Sequence, residues 1–331
     1  MTTHWLLQTH GQPLATIQHF LSQLYERADL LGLIAPIRSP GTTQVETRFV
    51  QSAAALRHVD PFVPVMRCNA AKLAAELAQE HPTDRLGAVL RPCEIRALVE
   101  LDRREAFDFS RFLIIGVDCV GTFPVEDYAA RASFAGGADA LTNEVLQFAR
   151  SGGLGVHRYR VACQMCDTHM PEGVDLILSI FGLATRDMIL ITVRNDALID
   201  QLPLTDITDG RADPSHVWEH VQAHNVVTAR RVRNRERFMQ ALPQTLPRNL
   251  TDLALHLATR ATCHECFKAC PLADVSLDFG NSAEAEVQLS RWLDSCVECG
   301  MCEQACPKHL LLTVEHEHIR QCLLPATEIA R

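Results

Sequence analysis

The sequence lacks an excess of positive charge, an apolar run long enough to cross a membrane and a glycine-rich nucleotide motif. With a net charge of −9, the chain is poorly suited to neutralising phosphates, which argues against general nucleic-acid binding. No stretch of about 18 apolar residues occurs, so no membrane span is expected. The start, MTTHWLLQTHGQ, has none of the features of a signal peptide, and we therefore expect a cytoplasmic protein.

Cysteine is the residue that departs most from an ordinary composition, with 13 copies in 331 residues. In a reducing cytoplasm, closely spaced cysteines are more often metal ligands than disulfides. Seven of them fall in two runs in the last third of the chain, CHECFKACP and CVECGMCEQACP. Both runs predict iron-sulfur clusters, because their spacing is that of ferredoxin ligands.

The second run is complete. Cys296, Cys299, Cys302 and Cys306 precede Pro307 in the spacing C-x2-C-x2-C-x3-C-P, which is typical of bacterial ferredoxins. In that pattern the first three thiolates hold one [4Fe-4S] cluster and the fourth reaches the other cluster of a pair. A structural zinc site more often has two separated C-x2-C pairs, so zinc is a poor alternative.

The first run is incomplete, because Arg260 stands where its first cysteine is expected. Cross-ligation nevertheless predicts two clusters. The ligands of the first are Cys270, Cys296, Cys299 and Cys302. The predicted ligands of the second are Cys263, Cys266 and Cys306. Its fourth ligand is left open: Cys322 is the nearest spare cysteine, and a non-cysteine group, a water or a three-iron cluster are alternatives.

Hydrophobic patterns divide the chain near residue 208. Before it, short apolar runs such as LGAVL, FLIIGVDC and MILITV alternate with helical segments, which predicts an α/β domain with a mostly parallel sheet over residues 1–207. After it, strand-like runs disappear and helical segments such as LTDLALHLATR take over, which predicts a mainly α-helical domain over residues 208–331. This second part resembles the helical dicluster ferredoxin domain of heterodisulfide reductase and succinate dehydrogenase iron-sulfur subunits.

Four further cysteines fall close to predicted strands. Cys93 follows the strand LGAVL, Cys119 ends FLIIGVDC, and Cys163 and Cys166 form a C-x2-C pair on a predicted loop before VDLILSIFG. Ligands collect at the carboxyl ends of parallel strands, where helix N-termini also favour negative charge. A third [4Fe-4S] cluster is therefore one prediction for these cysteines; buried core thiols, a redox-active pair or a zinc site are the alternatives.

The segments RPCEIRALVEL, IGVDCVGTF and VACQMCDTHMPEGVDLILSIFG, in that order, resemble the beta subunit family of coenzyme F-420-reducing hydrogenase and F-420-linked formate dehydrogenase. The resemblance covers about residues 1–200. It implies that Cys93, Cys119, Cys163 and Cys166 hold a [4Fe-4S] cluster beside an FAD. However, the matching stretch for the flavin phosphates has Gly11 alone, and no G-x-G-x-x-G occurs, so FAD has little support in the sequence.

We therefore expect an electron-transfer subunit of a cytoplasmic oxidoreductase, with a catalytic subunit of the formate dehydrogenase, hydrogenase or heterodisulfide reductase kind as its partner. A flavin-dependent reductase of a deazaflavin or similar acceptor is the first alternative. A zinc or scaffold protein is the second. No Ser-His-Asp or Cys-His set indicates hydrolytic chemistry, so no catalytic residue is predicted.

Four other features have structural interpretations. Cys68 is expected to be a buried core thiol, and EHEHIR, with His316 and His318, a solvated helix end. The arginines from 230 to 237 are expected to form a solvated helix face or to dock an acidic partner. Asp118 and Asp167, beside candidate ligands, are expected to cap or turn the backbone or to tune a cluster.

Overall fold

The computed structural model describes residues 2–105, 109–152, 158–194, 199, 201–202, 204–243, 246–260, 264–273 and 282–323. The chain forms two compact units. The first comprises Met1–Tyr159 and Asp167–Arg230, and the second Arg160–Cys166 and Arg231–Arg331. No helix in these described ranges is both long enough and apolar enough to span a bilayer.

The first unit is built on a seven-stranded sheet. Its strands are β1 (Thr3–Gln8), β2 (Gly32–Arg38), β3 (Val45–Val50), β4 (Leu86–Leu90), β5 (Phe112–Val117), β6 (Leu176–Ser179) and β7 (Met188–Val193). They lie in the order β1-β7-β6-β5-β4-β2-β3.

The central strands β2, β4, β5 and β6 pair in parallel. β7 is antiparallel to β6, and β1 is antiparallel to β7, so β1 points the same way as the central strands; β3 is antiparallel to β2. Five strands therefore share one direction, which confirms the predicted mostly parallel sheet. β4 and β5 are buried along their whole length, as expected of strands covered on both faces.

The described helices were numbered in chain order. They are α1 (Pro13–Arg27), α2 (Ala53–Leu56), α3 (Ala71–Glu80), α4 (Pro92–Glu105), α5 (Val125–Ala135), α6 (Ala138–Ala149), α7 (Val161–Met165), α8 (Leu204–Ile207), α9 (Pro214–Gln240), α10 (Leu250–Arg260), α11 (Glu265–Ala269), α12 (Ser282–Asp294), α13 (Met301–Gln304) and α14 (Leu312–Leu323).

The cores follow helical periodicity. In the first unit, α1 begins with Pro13 at its first position and buries Ile17, Leu21 and Leu24 along one stripe. In the second unit, α10, α12 and α14 share a core that includes Leu257 from α10. The C-terminal part is helical, which confirms the predicted fold class.

The two compact units divide the chain within α9, between Arg230 and Arg231. The domain boundary that the sequence predicts at residue 208 stays a prediction. The sequence indicates two helical segments, VWEHVQAH and RERFMQAL, in this part of the chain, and the structure joins them in one helix, α9, which runs from Pro214 to Gln240 without interruption. The sequence also predicts a helix, NDALIDQL, after β7, and this segment lies mostly outside the described residues.

Candidate metal-cluster site

Four cysteines line one cavity in the second unit. Cys270 follows α11, Cys296 and Cys299 lie between α12 and α13, and Cys302 lies on α13. The enclosed space is small, about 10 Å³. These are the four side chains that cross-ligation assigns to the first cluster, although Cys270 and Cys296 are 26 residues apart in sequence. The ligand set itself stays a prediction.

The backbone of the second run is shaped for an anion. Glu298 and Gly300, on either side of Cys299, both have left-handed conformations, with φ of 55° and 68°. Alternating left- and right-handed residues turn successive N–H groups toward one side, which forms the concave site that phosphates and iron-sulfur clusters occupy. A Cβ at Gly300 would lie 2.5 Å from Cβ of Ala162, so this position also requires glycine for space.

The first run repeats this local structure. His264 corresponds to Gly300 in the C-x2-C-x3-C-P alignment, and both are left-handed residues at the start of a short helix, α11 and α13 respectively. Cys266, on α11, and Cys306, after α13, are both buried. Cys263 lies outside the described residues. Cys322, the spare cysteine, is exposed on α14, where its Sγ lies 3.8 Å from Nε2 of His318.

Burial disfavours the charged form of two of these thiols. Burial raises the pKa of Cys296 to about 12. Burial, with the neighbouring cysteines, also raises the pKa of Cys302 well above its usual range. Thiolates, not thiols, are metal ligands. Four thiols packed this closely in a buried cavity therefore suit a multiply charged metal centre, which supplies the positive charge that stabilises them.

Hydrogen-bond donors surround the cavity. Trp292 donates its Nε1–H to Sγ of Cys270 at 3.4 Å, and Nδ1 of His316 lies 3.9 Å from Sγ of Cys296. Within the described residues, Oγ1 of Thr313 and Nε2 of His316 are buried without a hydrogen-bond partner. Both side chains belong to residues that line the cavity. Unsatisfied polar atoms at a cavity fit the presence of a bound group.

The interpretation of EHEHIR as a solvated helix end is wrong. Glu315, His316 and Glu317 are all buried in the first half of α14. The two glutamates have charged partners: Glu315 lies 3.6 Å from Nε2 of His256, and Glu317 forms an ion pair with Arg320 at 2.8 Å. Burial, with the charge of Arg320, lowers the pKa of His316 to about 3, so its imidazole is neutral near neutral pH.

The four N-terminal-half cysteines are divided between the two units. Cys93 lies in the first turn of α4 and Cys119 two residues after β5, at the carboxyl ends of neighbouring parallel strands in the first unit. Cys163 and Cys166 lie in and just after α7, in the second unit. The expected loop is therefore a short helix. The joint cluster of these four cysteines stays a prediction.

Helix α7 is anchored next to the second cysteine run. Arg160 donates to the carbonyl oxygen of Gly300 at 3.3 Å and contacts Sγ of Cys163 at 3.6 Å. The carbonyls at the end of α7 accept hydrogen bonds from side chains of α9, including Arg231 to Cys166 at 3.1 Å. Cationic donors at a helix C-terminus satisfy carbonyls that have no partner within the helix.

The arginine-rich segment of α9 is therefore only partly a solvated face. Arg233 and Arg237 are exposed, as expected, but Arg231 is only 1 % exposed. Arg235 forms ion pairs with Glu298 at 2.6 Å and Glu317 at 3.3 Å. Two of the five arginines, Arg231 and Arg235, therefore contact other residues of the second unit.

Two further expectations are tested by the structure. Cys68 is exposed, so the expected buried core thiol is wrong. Asp118 accepts the backbone N–H groups of Ile180 and Phe181 at 2.8 and 3.2 Å, 62 and 63 residues away in sequence, so it holds a distant turn and not its own. For the flavin, Gly11 is left-handed just before Pro13 of α1, and FAD stays a weakly supported prediction.

Comparison with known proteins gives little guidance. No family model matches the sequence. Among solved structures, the chain is similar to a chain of the F-420-reducing [NiFe] hydrogenase complex from Methanosarcina barkeri, studied by xenon derivatisation. That match has 9% sequence identity and a TM-score of 0.47, and covers 72% of this chain and 92% of the other.

Proposed function

We propose that this chain is an iron-sulfur electron-transfer subunit of an oxidoreductase complex. The observation that carries the proposal is the cavity lined by Cys270, Cys296, Cys299 and Cys302. A [4Fe-4S] cluster bound there accepts and donates single electrons. The complete ferredoxin spacing of the second run and the repeated left-handed turn in the first run support a cluster pair.

The protein's own contribution is to set the potential of the cluster. Trp292 and His316 place nitrogen atoms near two of the four sulfurs, and Cys302 belongs to the hydrophobic core of the second unit. Burial and hydrogen bonds to sulfur are the means by which proteins adjust cluster potentials. A soluble catalytic subunit of the formate dehydrogenase, hydrogenase or heterodisulfide reductase type is the proposed partner.

Arg160 supports a role in electron relay. One guanidinium contacts both the Cys163 thiol and the carbonyl of Gly300, which belongs to the second cysteine run. A third cluster is predicted for Cys93, Cys119, Cys163 and Cys166. One of its predicted ligands, Cys163, and the ligand loop of the first cluster therefore contact the same side chain, that of Arg160.

The proposal is tested by removing one ligand. In anaerobically purified protein, Cys302→Ala should lower iron and acid-labile sulfide by about four atoms each per chain, since one [4Fe-4S] cluster is lost. Cys68→Ala is the matched control, because Cys68 is exposed and outside both runs, and should leave both contents unchanged. Equal iron content in Cys302→Ala and wild type would contradict the proposal. Cys299→Ala, at a half-buried position, repeats the test if Cys302→Ala does not fold.

A further inference from the structure

A second cluster of metal-ligating side chains lies in the first unit and contains no cysteine. Its members are Asp118, just after β5, His169, and His220 and His224 on α9. All four are less than a tenth exposed. Buried ionisable groups persist only where hydrogen bonds or an opposite charge compensate for the loss of water, so this cluster requires a complete set of partners.

The fold brings these residues together through α9 and one glycine. His220 and His224 are four residues apart, so they lie on the same face of the helix. Gly182 has a φ of +77°, and a Cβ there would lie 2.6 Å from the carbonyl oxygen of Glu219. This close approach places α9 against the turn whose Ile180 N–H binds Asp118.

The hydrogen bonds of the cluster form a chain in which one hydrogen is missing. Asp167 O lies 3.1 Å from Nδ1 of His169, Nε2 of His169 lies 3.0 Å from Nδ1 of His224, and Nε2 of His224 lies 3.1 Å from Oδ1 of Asp118. Three contacts need three hydrogens, but two neutral imidazoles carry only two.

The position of the missing hydrogen follows from the carbonyl. Because the carbonyl of Asp167 can only accept, Nδ1 of His169 carries its hydrogen, and Nε2 of His169 then accepts from His224. The bare nitrogen Nε2 of His224 therefore faces a carboxylate oxygen of Asp118. A cation must lie between them, either a proton or a metal ion.

The third side chain favours a metal ion. Nδ1 of His220 lies 3.6 Å from Oδ2 of Asp118, which is too long for a hydrogen bond. His224 approaches the other oxygen, Oδ1, at 3.1 Å. Both distances are close to the ligand-to-ligand distance of about 3.3–3.4 Å in a tetrahedral site with zinc-to-ligand bonds of about 2.0–2.1 Å, so the spacing fits a site in which the carboxylate supplies one or both oxygens. One ligand atom from each of the three residues lies within 4.8 Å of the others.

The surroundings are those of a metal site. Ligating histidines usually donate their other N–H to an acceptor, and Nδ1 of His224 donates to His169, which is held in turn by the carbonyl of Asp167. His220 at present lies 3.1 Å from the carbonyl oxygen of Phe181, through Nδ1. Coordination by that nitrogen replaces one hydrogen bond, a small loss beside a metal-to-nitrogen bond.

We propose that Asp118, His220 and His224 bind one divalent metal ion of the zinc type. Two imidazoles and one carboxylate form the donor set that such ions take with three protein ligands, leaving a further position for water or another ligand. The sequence signal is HVQAH, in which two histidines are spaced i, i+4 on a helix. The proposal does not depend on the iron-sulfur clusters.

The test measures Zn²⁺ and Co²⁺ bound by the full chain after its iron and sulfide sites have been filled anaerobically and excess metal removed. Wild type should bind one more equivalent than the double variant His220→Gln/His224→Gln. X-ray absorption of the bound Co²⁺ should detect nitrogen and oxygen ligands without sulfur. His216→Gln is the matched control on the same helix, and should bind as much metal as wild type.

Equal metal content in wild type and the double variant would overturn the proposal, and would leave a protonated imidazole as the missing cation. Sulfur ligands on the Co²⁺ would also overturn it, because they would place the metal at the cysteines. If the double variant does not fold, the absorption spectrum of wild type decides alone: one Co²⁺ with nitrogen and oxygen ligands supports the site, and its absence contradicts it. Iron and sulfide contents, measured in the same samples, test the proposed function separately.

Discussion

At the scale of single residues, the donors around the cysteine cavity determine how readily a bound cluster accepts an electron. Trp292 is held by contacts with Phe267 and His316, whose ring centroids lie 4.8 and 4.3 Å away. Its Nε1–H is thereby fixed toward Sγ of Cys270. A donor to sulfur stabilises the more negative, reduced state of a cluster and so raises the reduction potential.

Trp292→Phe should therefore lower the midpoint potential of one cluster by tens of millivolts, where about 59 mV corresponds to a tenfold change in a one-electron equilibrium. The measurement is a redox titration followed by electron paramagnetic resonance. Trp218→Phe, at an exposed tryptophan of α9, is the control and should leave the potential unchanged. An unchanged potential in Trp292→Phe would mean that this hydrogen bond does not reach a cluster ligand.

Glu317 should make the second unit sensitive to acid. Burial alone would raise its pKa, but the hydrogen bond and charge of Arg320, together with Arg235, outweigh burial and lower the pKa below the usual value. Because the folded-state pKa is depressed, its contribution to stability is present above the unfolded-state pKa near 4.5 and is lost as the pH falls through the folded-state pKa.

Glu317→Gln should consequently cost on the order of 1–3 kcal/mol of unfolding free energy at pH 7, as expected for hydrogen bonds to charged groups. The difference from wild type should shrink as the pH falls below about 4.5, because protonation removes the same charge from wild type. Denaturant unfolding at a series of pH values measures it. A difference that does not vary with pH would show that charge is not the cause.

Two groups of polar residues could not be interpreted correctly from the sequence. EHEHIR has the pattern of a solvated helix, yet its first three residues are buried: Arg235 and His256 supply partners from distant positions, and Arg320 does so from the end of the same segment. The histidines of HVQAH have an i, i+4 spacing that is visible in the sequence, but the sequence alone indicates only a helix there. Asp118, the third residue of the proposed metal site, lies about a hundred residues earlier in the chain.

At the scale of elements, the left-handed turn at the start of α13 is the structure on which the second cysteine run depends. Gly300 needs both its backbone conformation and its small size, because a Cβ would meet Ala162 at 2.5 Å. Gly41 has a similar φ of +72° but nothing within 4 Å of such a Cβ. A comparison of alanine variants at the two glycines therefore separates the cost of backbone strain from the cost of crowding.

Gly300→Ala should lower the free energy of unfolding by more than Gly41→Ala does. The Gly41 variant should lose only about 1 kcal/mol, the cost of an alanine in the left-handed conformation. Gly300→Ala should also reduce cluster incorporation, because the ligand loop between Cys299 and Cys302 must shift. Thermal unfolding and iron content of the two variants measure these effects. Equal losses of stability would show that Ala162 moves aside easily.

The sequence predicts the central elements and not the edges. LGAVL and MILITV match β4 and β7 residue for residue, because strands buried on both faces are continuous apolar runs. The pattern does not predict the edge strands β1 and β3; β3 has three consecutive polar residues, Glu46, Thr47 and Arg48, so it forms no apolar run. The division of the chain within α9 has no composition signal, since that helix continues through it.

At the scale of the whole molecule, the chain combines an α/β unit with a helical unit that contains all of the described ferredoxin-type cysteines. The cysteine spacing predicted which four thiols would meet, and the structure brings those four to one cavity. The cysteine spacing could not predict that α7 lies in the second unit. Arg160, Arg231 and Arg235 hold it there by hydrogen bonds to backbone carbonyls and by the contact of Arg160 with Sγ of Cys163, and none of these contacts follows from cysteine spacing.

The central claim, that the second unit carries a pair of iron-sulfur clusters, is tested most directly by iron and acid-labile sulfide analysis of the anaerobically purified chain. Two [4Fe-4S] clusters require about eight atoms of each per chain, and a third cluster would add about four. A result of about eight or more, with a reduced-state electron paramagnetic resonance signal, is the predicted outcome. Iron and sulfide well below eight, or zinc in place of iron, would contradict it.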